Sequence, residues 1–253
     1  MVKSSNTPEA RPGGFSVGAI IAALVVIGVF VVLGFVLANS NPVNQTAGSD
    51  VVPTAVTSVT AETQPAPDAP AAGAASDTVA ARADKYSAAP PLTIDVAKSY
   101  LATITTPRGD IEIKLRPDLA PETVNSFVFL ANEGYYDGIT WHRVLPNFMA
   151  QGGDPTGTGM GGPGYTVKGE FTDKVLFDKP GIVAMARPGN DVNGNGSQFF
   201  ITTAPFPSLN SQYTIFGEVI KGQEIVDAIP LRDPDQSPST PGEQIVKVSI
   251  REA

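Results

Sequence analysis

Residues 141–154 read WHRVLPNFMAQGGD and combine one cation with apolar side chains at short spacing. Arg143 is followed by two large apolar residues, Phe148 and Met149, and then by the amide Gln151. The stretch contains no cysteine, no evident nucleophile and no cluster of metal ligands. It therefore favours a site that holds an apolar group beside a positive charge. Ordinary core packing, with Arg143 reaching towards the surface, is the alternative.

The same stretch predicts short strands, because side chains in a strand alternate between its two faces. Trp141, Arg143 and Leu145 are expected on one face, and His142 and Val144 on the other. His142 is the only histidine of the chain, but no serine or cysteine is placed as its evident partner. A general-base role for this histidine is therefore not favoured.

Alternation with a period of two also appears around residue 100 and predicts a hairpin. Its strands are expected from Tyr100 to Thr106 and from Ile111 to Leu115, with a turn at 107–110. A helix should follow, since Pro121 suits a first turn and Gly134 is a natural stop. The buried face of this helix is predicted to carry Val124, Phe127, Val128 and Ala131.

Further short strands are predicted along the rest of the chain, at 139–145, 147–151, 165–167, 181–186, 197–203, 213–219 and 244–251. A second short helix is predicted around 222–228. Many short strands with only two helices favour a closed β-barrel, an architecture that leaves no sheet edge exposed.

Three blocks of sequence resemble, in the same order, the cyclophilin-type peptidyl-prolyl cis-trans isomerases. They are WHRVLPNFMAQGGD (141–154), GIVAMA with NGSQFFITT (181–203) and YTIFGEVIKG (213–222). The preceding segments TTPRGDIEIKL and APETVNSFVFLANEGYY are also similar to the family, so the resemblance covers roughly Tyr100 to Glu252. It implies a mainly β fold, a closed eight-stranded antiparallel barrel capped by two helices, with the active groove on its outer surface.

The resemblance also implies an activity, rotation of the peptide bond that precedes proline, and a set of site residues. Arg143 corresponds to the catalytic hydrogen-bond donor, and Gln151 to the residue that helps to hold the substrate carbonyl. The substrate-binding positions correspond to Phe148, Met149, Ala186, Arg187, Gln198, Phe200, Leu209 and Tyr213. Among these, Ala186 and Arg187 would bond the substrate backbone, and the apolar residues would form the walls of a proline pocket. No covalent intermediate, cofactor or metal is implied.

The sequence departs from the family pattern at several groove positions. Ser208 stands where many members carry tryptophan, and Tyr213 where many carry histidine. Because that tryptophan is linked to cyclosporin binding in the family, weak inhibition by this drug is expected. Arg187 and Pro188 stand where asparagine and alanine are common, so the preference for the residue before proline stays open.

Three interpretations of the domain compete. The first is a prolyl isomerase that assists the folding of exported or surface proteins. The second is a module that binds proline-containing segments as a chaperone or scaffold without turnover, which would not require the donor of Arg143. The third, an unrelated surface adhesin with a barrel domain, has no motif in its favour.

Two further patterns are given ordinary structural interpretations. Asp137, Asp154 and Glu170 lack the spacing of a calcium-binding loop, and glycine-rich turns often contain aspartate for local hydrogen bonds. Residues 152–164, GGDPTGTGMGGPG, lack the Gly-Lys-Ser/Thr ending of a phosphate-binding loop. Their glycines are expected to form tight turns beside a groove.

Residues 15–38 carry no charge and are long enough to cross a bilayer as a helix. Lys3 and Arg11 precede them, so the positive-inside tendency places residues 1–14 in the cytoplasm. The sequence thus predicts a single-pass anchor in the cell membrane and an extracytoplasmic domain. A signal peptide cleaved after Ala38 is the alternative.

Residues 39–95 are rich in alanine, proline, threonine and serine and are expected to form a disordered linker before a globular domain at 96–253. That domain has 13 Lys and Arg against 18 Asp and Glu, a net charge of −5 within a chain total of −8. Binding to nucleic acid is not favoured, because phosphates require a basic face. The absence of cysteine excludes disulfides. A monomer that binds proline-containing polypeptides is expected.

Overall fold

The computed structural model describes residues 78–253, and the predicted anchor at 15–38 lies outside them. The strands are β1 (Tyr100–Thr106), β2 (Gly109–Leu115), β3 (Arg143–Leu145), β4 (Met149–Gly152), β5 (Ile182–Met185), β6 (Phe199–Thr202), β7 (Ile215–Lys221) and β8 (Lys247–Glu252). The helices of the sheet domain are α1 (Pro121–Asn132) and α2 (Gln223–Asp227). The prediction of a mainly β fold with eight strands is confirmed. In the described part of the chain, no helix is both long and apolar enough to cross a membrane.

The eight strands form one antiparallel sheet in the order β3-β4-β6-β5-β7-β2-β1-β8. Within residues 78–253 no ladder joins the two end strands, β3 and β8. The segments just before them connect instead: Thr140 bridges to Gln244, and the Ile245 amide donates to the Ile139 carbonyl at 2.7 Å. The observed sheet is therefore curled, with its ends linked by short contacts rather than by the regular ladder of the predicted closed barrel. Pro146, which has no amide hydrogen, follows β3 and keeps that strand short.

The first helix receives its cap from a residue distant in sequence. Ala120 precedes α1 without a side-chain cap. The carboxylate of Glu170 accepts hydrogen bonds from the backbone amides of Glu122 at 3.0 Å and Thr123 at 2.9 Å. A negative charge at this position also complements the helix dipole. The cap therefore fixes the loop around Glu170 to the start of α1.

The end and the buried face of α1 agree with the sequence prediction. The helix ends at Asn132, and Gly134 follows with a φ angle of 63°, a left-handed conformation that favours glycine. The predicted face is buried, and the burial extends further round the helix, because α1 is enclosed by the sheet and by the N-terminal segment. The buried residues of the helix are Thr123, Val124, Asn125, Ser126, Phe127, Val128, Leu130 and Ala131.

The buried apolar side chains form two clusters, one on each side of the β3 hairpin. Trp141 and Val144 belong to the larger cluster, which also contains the apolar residues of α1. Leu145 packs against the smaller cluster. The prediction that Trp141 shares a face with Arg143 and Leu145 is therefore wrong. The alternation starts only where β3 begins, at Arg143, and Trp141 lies before the strand.

The prediction of a strand at 165–167 is also wrong. Its only ladder contact within residues 78–253 is an isolated bridge from Val167 to Asn195. Gly164 precedes the segment with a φ angle of 98°, which turns the chain out of an extended path. Apolar residues at alternate positions are thus insufficient here, because no neighbouring strand runs beside them.

Residues 78–95, which the sequence places in the linker, pack against the domain. The guanidinium of Arg82 donates to the carbonyl of Tyr135 at 3.0 Å and also to that of Asp137. The amide of Thr93 donates to the Asn125 side chain at 2.9 Å. Because single side chains attach this segment, rather than a repeating apolar face, its sequence shows no periodicity. The globular unit begins before the predicted boundary at residue 96.

The capping carboxylate provides a stability test. Replacing Glu170 by Ala should lower the free energy of unfolding by about 1 kcal/mol, because two amides of the first helical turn lose their acceptor. Denaturant unfolding followed by circular dichroism measures this change. Glu133→Ala is the matched control, since Glu133 is exposed at the opposite end of α1, where a carboxylate is unfavourable. Equal losses from both substitutions would contradict the capping role.

Candidate active site

The site is built on the short hairpin of β3 and β4. In this hairpin Arg143 lies directly opposite Gln151. Gln151 in turn lies opposite Phe200 of β6. Side chains of directly opposed residues project from the same face of a sheet. The pairing therefore brings a cation, an amide and an aromatic ring together from three strands, although Phe200 is distant from the other two in sequence.

These side chains surround a cavity of about 150 Å³, called here the small cavity. Nine of the ten residues predicted from the sequence line it: Arg143, Phe148, Met149, Gln151, Ala186, Arg187, Phe200, Leu209 and Tyr213. The tenth, Gln198, lines an adjoining cavity of about 610 Å³, called here the large cavity. The structure thus brings all the predicted site residues to one region, and their roles stay predictions.

Arg143 stands at the edge of the small cavity. Its guanidinium carbon is 6.0 Å from the centre of the Phe148 ring, and its side chain is half-buried. The Phe148 ring packs against Phe206, with 4.4 Å between ring centres. Within residues 78–253, Arg143 makes no hydrogen bond or ion pair through its side chain. Its donors are therefore available to a bound molecule.

The floor of the small cavity is apolar and tightly packed. Met149 and Phe200 are buried. The Phe200 ring stacks on Phe177 at 6.0 Å and meets Tyr213 edge-on at 5.7 Å. Phe177, which supports this floor, and Phe206, which supports the Phe148 ring, were not predicted as site residues, because both lie outside the three blocks that carry the resemblance. The floor can hold a small apolar ring.

A pair of amides fixes the orientation of Gln151. The Nε2 group of Gln198 donates to the carbonyls of Gly159 at 3.0 Å and Gly161 at 2.9 Å. Both of its N–H groups are thereby used, so its Oε1 atom accepts a bond from Gln151 Nε2 at 3.0 Å. Gln151 keeps its own Oε1 atom and one N–H for a ligand. The glycine-rich stretch predicted to form turns beside the groove thus supplies two acceptors to it.

Arg187, the second cation of the small cavity, is held by the protein itself. Its guanidinium donates to the carbonyls of Gln212 at 3.0 Å, Pro188 at 3.2 Å and Gly189 at 3.1 Å. It also lies 4.8 Å from the centre of the Tyr213 ring. Arg187 therefore acts as a brace between two loops. Arg143, with its donors unused, differs from it clearly.

His142, Asp137 and Glu170, the other titratable residues considered for a role in the site, are not arranged for catalysis or for metal binding. His142 is buried, and burial lowers its pKa, so its ring is neutral at pH 7. Among the described residues neither of its ring nitrogens has a hydrogen-bond partner. Asp137 accepts from the Val248 amide, and Glu170 caps α1, so these two carboxylates do not converge with Asp154. No group of three possible metal ligands occurs within residues 78–253.

Asp154 is buried and organises the glycine-rich loop. Its carboxylate accepts from the amide and hydroxyl of Thr156, both at 2.7 Å, and from the Gly159 amide at 2.5 Å. Burial alone would raise the pKa of this carboxyl. The hydrogen bonds from Thr156, Gly161 and Gly159 outweigh burial and hold the pKa below its usual value.

The fold and the site together define a β-sheet protein that can hold a small apolar ring next to an uncommitted cation. A family model described as cyclophilin type peptidyl-prolyl cis-trans isomerase/CLD matches residues 101–250. Peptidyl-prolyl cis-trans isomerase A of Mycobacterium tuberculosis is 49% identical over 145 residues, covering 51% of this chain and 79% of the relative. Peptidyl-prolyl cis-trans isomerase B of Bacillus subtilis is 52% identical over 114 residues, covering 45% and 78%.

Solved structures agree with these relatives. The crystal structure of a Cryptosporidium parvum cyclophilin type peptidyl-prolyl cis-trans isomerase matches with a TM-score of 0.55 and 33% identity, covering 61% of this chain and 99% of that one. The chain belongs to the cyclophilin-type peptidyl-prolyl cis-trans isomerase family. It is an isomerase of the peptide bond that precedes proline.

The carboxylate of Asp154 leads to a pH-dependent prediction. Asp154→Asn should lower stability at pH 7 by about 1–3 kcal/mol, because a charge-assisted network is lost. A folded pKa below the unfolded value stabilises the protein above the unfolded pKa. That contribution disappears as the pH falls from about 4 through the folded pKa. Denaturant unfolding at a series of pH values should therefore show the two proteins converging only in acid. A constant difference across this range would contradict the assignment.

Proposed function

We propose that this isomerase acts on exported or surface proteins and uses Arg143 as the donor that stabilises the rotating peptide bond. The observation that carries the proposal is the guanidinium of Arg143 at the edge of the apolar small cavity, where it makes no hydrogen bond or ion pair with residues 78–253. The other arginine in the lining, Arg187, already donates three of its five N–H groups to backbone carbonyls. The relatives named peptidyl-prolyl cis-trans isomerases support the reaction class.

The reaction requires a donor rather than a nucleophile. Resonance between nitrogen and carbonyl gives the peptide bond a rotational barrier of about 18–20 kcal/mol. In the twisted transition state this resonance is lost and the proline nitrogen regains a lone pair. A hydrogen bond to that nitrogen stabilises the twisted state more than the planar one, and this difference is what accelerates rotation. Arg143 is suited to the role because a guanidinium stays protonated and directs its donors rigidly.

The remaining lining residues fit a substrate with proline. The floor of Met149 and Phe200 would hold the proline ring. The unused N–H of Gln151 would donate to the substrate carbonyl. Among residues 78–253, no serine, threonine or carboxylate lines the small cavity, consistent with a rotation that forms no covalent bond. A solved structure of the Cryptosporidium parvum isomerase was obtained in the presence of the dipeptide Ala-Pro, which supports a proline-containing ligand.

Cellular location is a separate part of the proposal. The uncharged stretch at 15–38 supports a single-pass membrane anchor, with residues 1–14 in the cytoplasm and the isomerase domain outside it. In this arrangement the substrates would be unfolded or flexible segments of exported polypeptides. Their proline residues would reach the domain close to the membrane surface.

The catalytic role of Arg143 has a direct test. Arg143→Ala should lower kcat/KM for a short proline peptide by about 100- to 1,000-fold, because one transition-state donor is removed. Binding of the same peptide should change by only a few fold, since the apolar floor is intact. Exchange NMR measures the isomerisation rate, and chemical-shift titration measures the binding.

Arg251→Ala serves as the control, because Arg251 is exposed on β8 and lies in neither cavity. This control should leave the rate unchanged. An Arg143→Ala protein that isomerises the peptide as fast as the wild type would reject Arg143 as the donor. A wild-type protein that binds the peptide without accelerating its isomerisation would instead favour the chaperone or scaffold interpretation.

The topology can be tested on intact cells or spheroplasts. Added protease should remove the isomerase domain and leave a membrane-bound N-terminal fragment, because the domain is proposed to face outwards. An antibody against an epitope tag at each end of the chain follows the two parts. Protection of the domain until the membrane is permeabilised would reverse the proposed orientation. Release of the full domain into the medium without protease would indicate cleavage after Ala38.

A further inference from the structure

The large cavity lies beside the small one and shares part of its lining. Gln151, Ala186 and Arg187 contribute to both. A peptide whose proline occupies the small cavity would therefore meet the large cavity as it continues past these residues. With a volume of about 610 Å³, the large cavity is within the range of about 300–1,000 Å³ found for ligand pockets. It has room for a long side chain next to the proline.

One wall of the large cavity comes from the N-terminal segment 78–90, called here the arm. The amide of Asp84 donates to the Gly162 carbonyl at 3.0 Å, and the amide of Tyr86 donates to the Pro163 carbonyl at 2.9 Å. The contact is close: a Cβ atom on Gly164 would lie 2.2 Å from the Tyr86 carbonyl oxygen. The arm thus lies directly on the glycine-rich loop and extends the cavity wall.

Side-chain anchors hold the arm in place. The Tyr86 ring meets Phe129 edge-on, with 5.2 Å between ring centres, and lies 6.3 Å from the rings of Tyr135 and Tyr165. Arg82 adds its hydrogen bonds to two backbone carbonyls. These contacts keep the arm, and with it the position of Asp84, in a defined place beside the cavity.

The arm gives the large cavity a negative charge. Asp84 is the only carboxylate among the residues that line it, in the part of the chain that the structure describes. Its side chain is exposed and makes no hydrogen bond or ion pair with residues 78–253. The cation in the same lining, Arg187, is turned to the Tyr213 ring and to three carbonyls. An incoming positive charge would therefore find Asp84 unpaired.

We propose that Asp84, carried by the arm, makes the large cavity prefer a lysine or arginine of the substrate close to the proline. The inference rests on the proposed function, because it assumes that a peptide occupies the small cavity. The net charge of −5 over residues 96–253 acts in the same direction, since it attracts cationic peptides at long range. An exposed ion pair of this kind changes affinity only a few fold, so the effect is one of selectivity.

The test compares short, capped alanine peptides that contain one central proline. Each position around the proline is changed in turn to Lys, Gln or Glu, and kcat/KM is measured by exchange NMR for the full-length protein. At one position the wild type should process the Lys peptide about fivefold faster than the Glu peptide. In Asp84→Asn this ratio should fall to near one, and in Asp84→Lys it should reverse. The wild-type ratio should also fall in 0.5 M salt, as expected for an exposed charge pair.

The Asp84→Asn substitution is chosen to preserve the backbone. Asp84 has a φ angle of 53°, a conformation that asparagine also adopts readily. Asp110→Asn is the matched control, because Asp110 is an exposed carboxylate on β2 that lies in neither cavity. This control should retain the wild-type ratio of Lys to Glu peptides.

The outcomes separate this inference from the proposed function. If the wild type isomerises the alanine peptide but shows no preference for Lys at any position, the subsite is rejected and the isomerase assignment stands. If a preference exists and Asp84→Asn keeps it, Asp84 is rejected as its source. If the wild type fails to isomerise even the alanine peptide, the proposed function itself fails, and the subsite with it.

Discussion

The guanidinium of Arg143 lies beside an apolar cavity and makes no hydrogen bond or ion pair with any residue of the described range 78–253. Its surroundings explain why. Its neighbour across the β3–β4 hairpin is the neutral amide Gln151, not a carboxylate. Asp154, the buried carboxylate that follows in the same motif, is occupied by hydrogen bonds from its own loop. A carboxylate close to Arg143 would form an ion pair and use the donors on which the proposed rotation mechanism depends. Leaving one cation unpaired is thus the central constraint on this site.

A series of hydrogen bonds connects Gln151, the residue opposite Arg143, to the glycine-rich loop. Gly159 donates its amide to the carboxylate of Asp154, and its carbonyl accepts from Gln198. Gln198 then accepts from Gln151, which leaves one amide N–H of Gln151 for substrate. Because the pKa of Asp154 is lowered, the carboxylate at the buried end of this hydrogen-bond series stays ionised at physiological pH. A loop that resembles a phosphate-binding motif in composition is therefore used to orient two amides.

The sequence alone predicted both helices, a strand at each of the eight observed positions, and the residues of the small cavity. These succeeded because local alternation and the motif around Arg143 carry them directly. The predictions that failed concern contacts between residues that are distant in sequence. Trp141 changes face because β3 starts late, and 165–167 lacks a neighbouring strand. The cap from Glu170 joins residues 47 or more apart, a contact that no local pattern records.

The contact between the arm and the glycine-rich loop is another contact between distant residues, and it affects the site. Gly162 and Pro163 present their carbonyls to the arm, while Gly159 and Gly161 present theirs to Gln198. One short loop thus receives the arm on one side and the site amides on the other. A fragment that begins at residue 96, the boundary suggested by composition, would retain the small cavity but lose a wall of the large one. Because that wall carries Asp84, the proposed selectivity predicts that such a fragment would keep activity on neutral peptides and lose its preference for cationic ones.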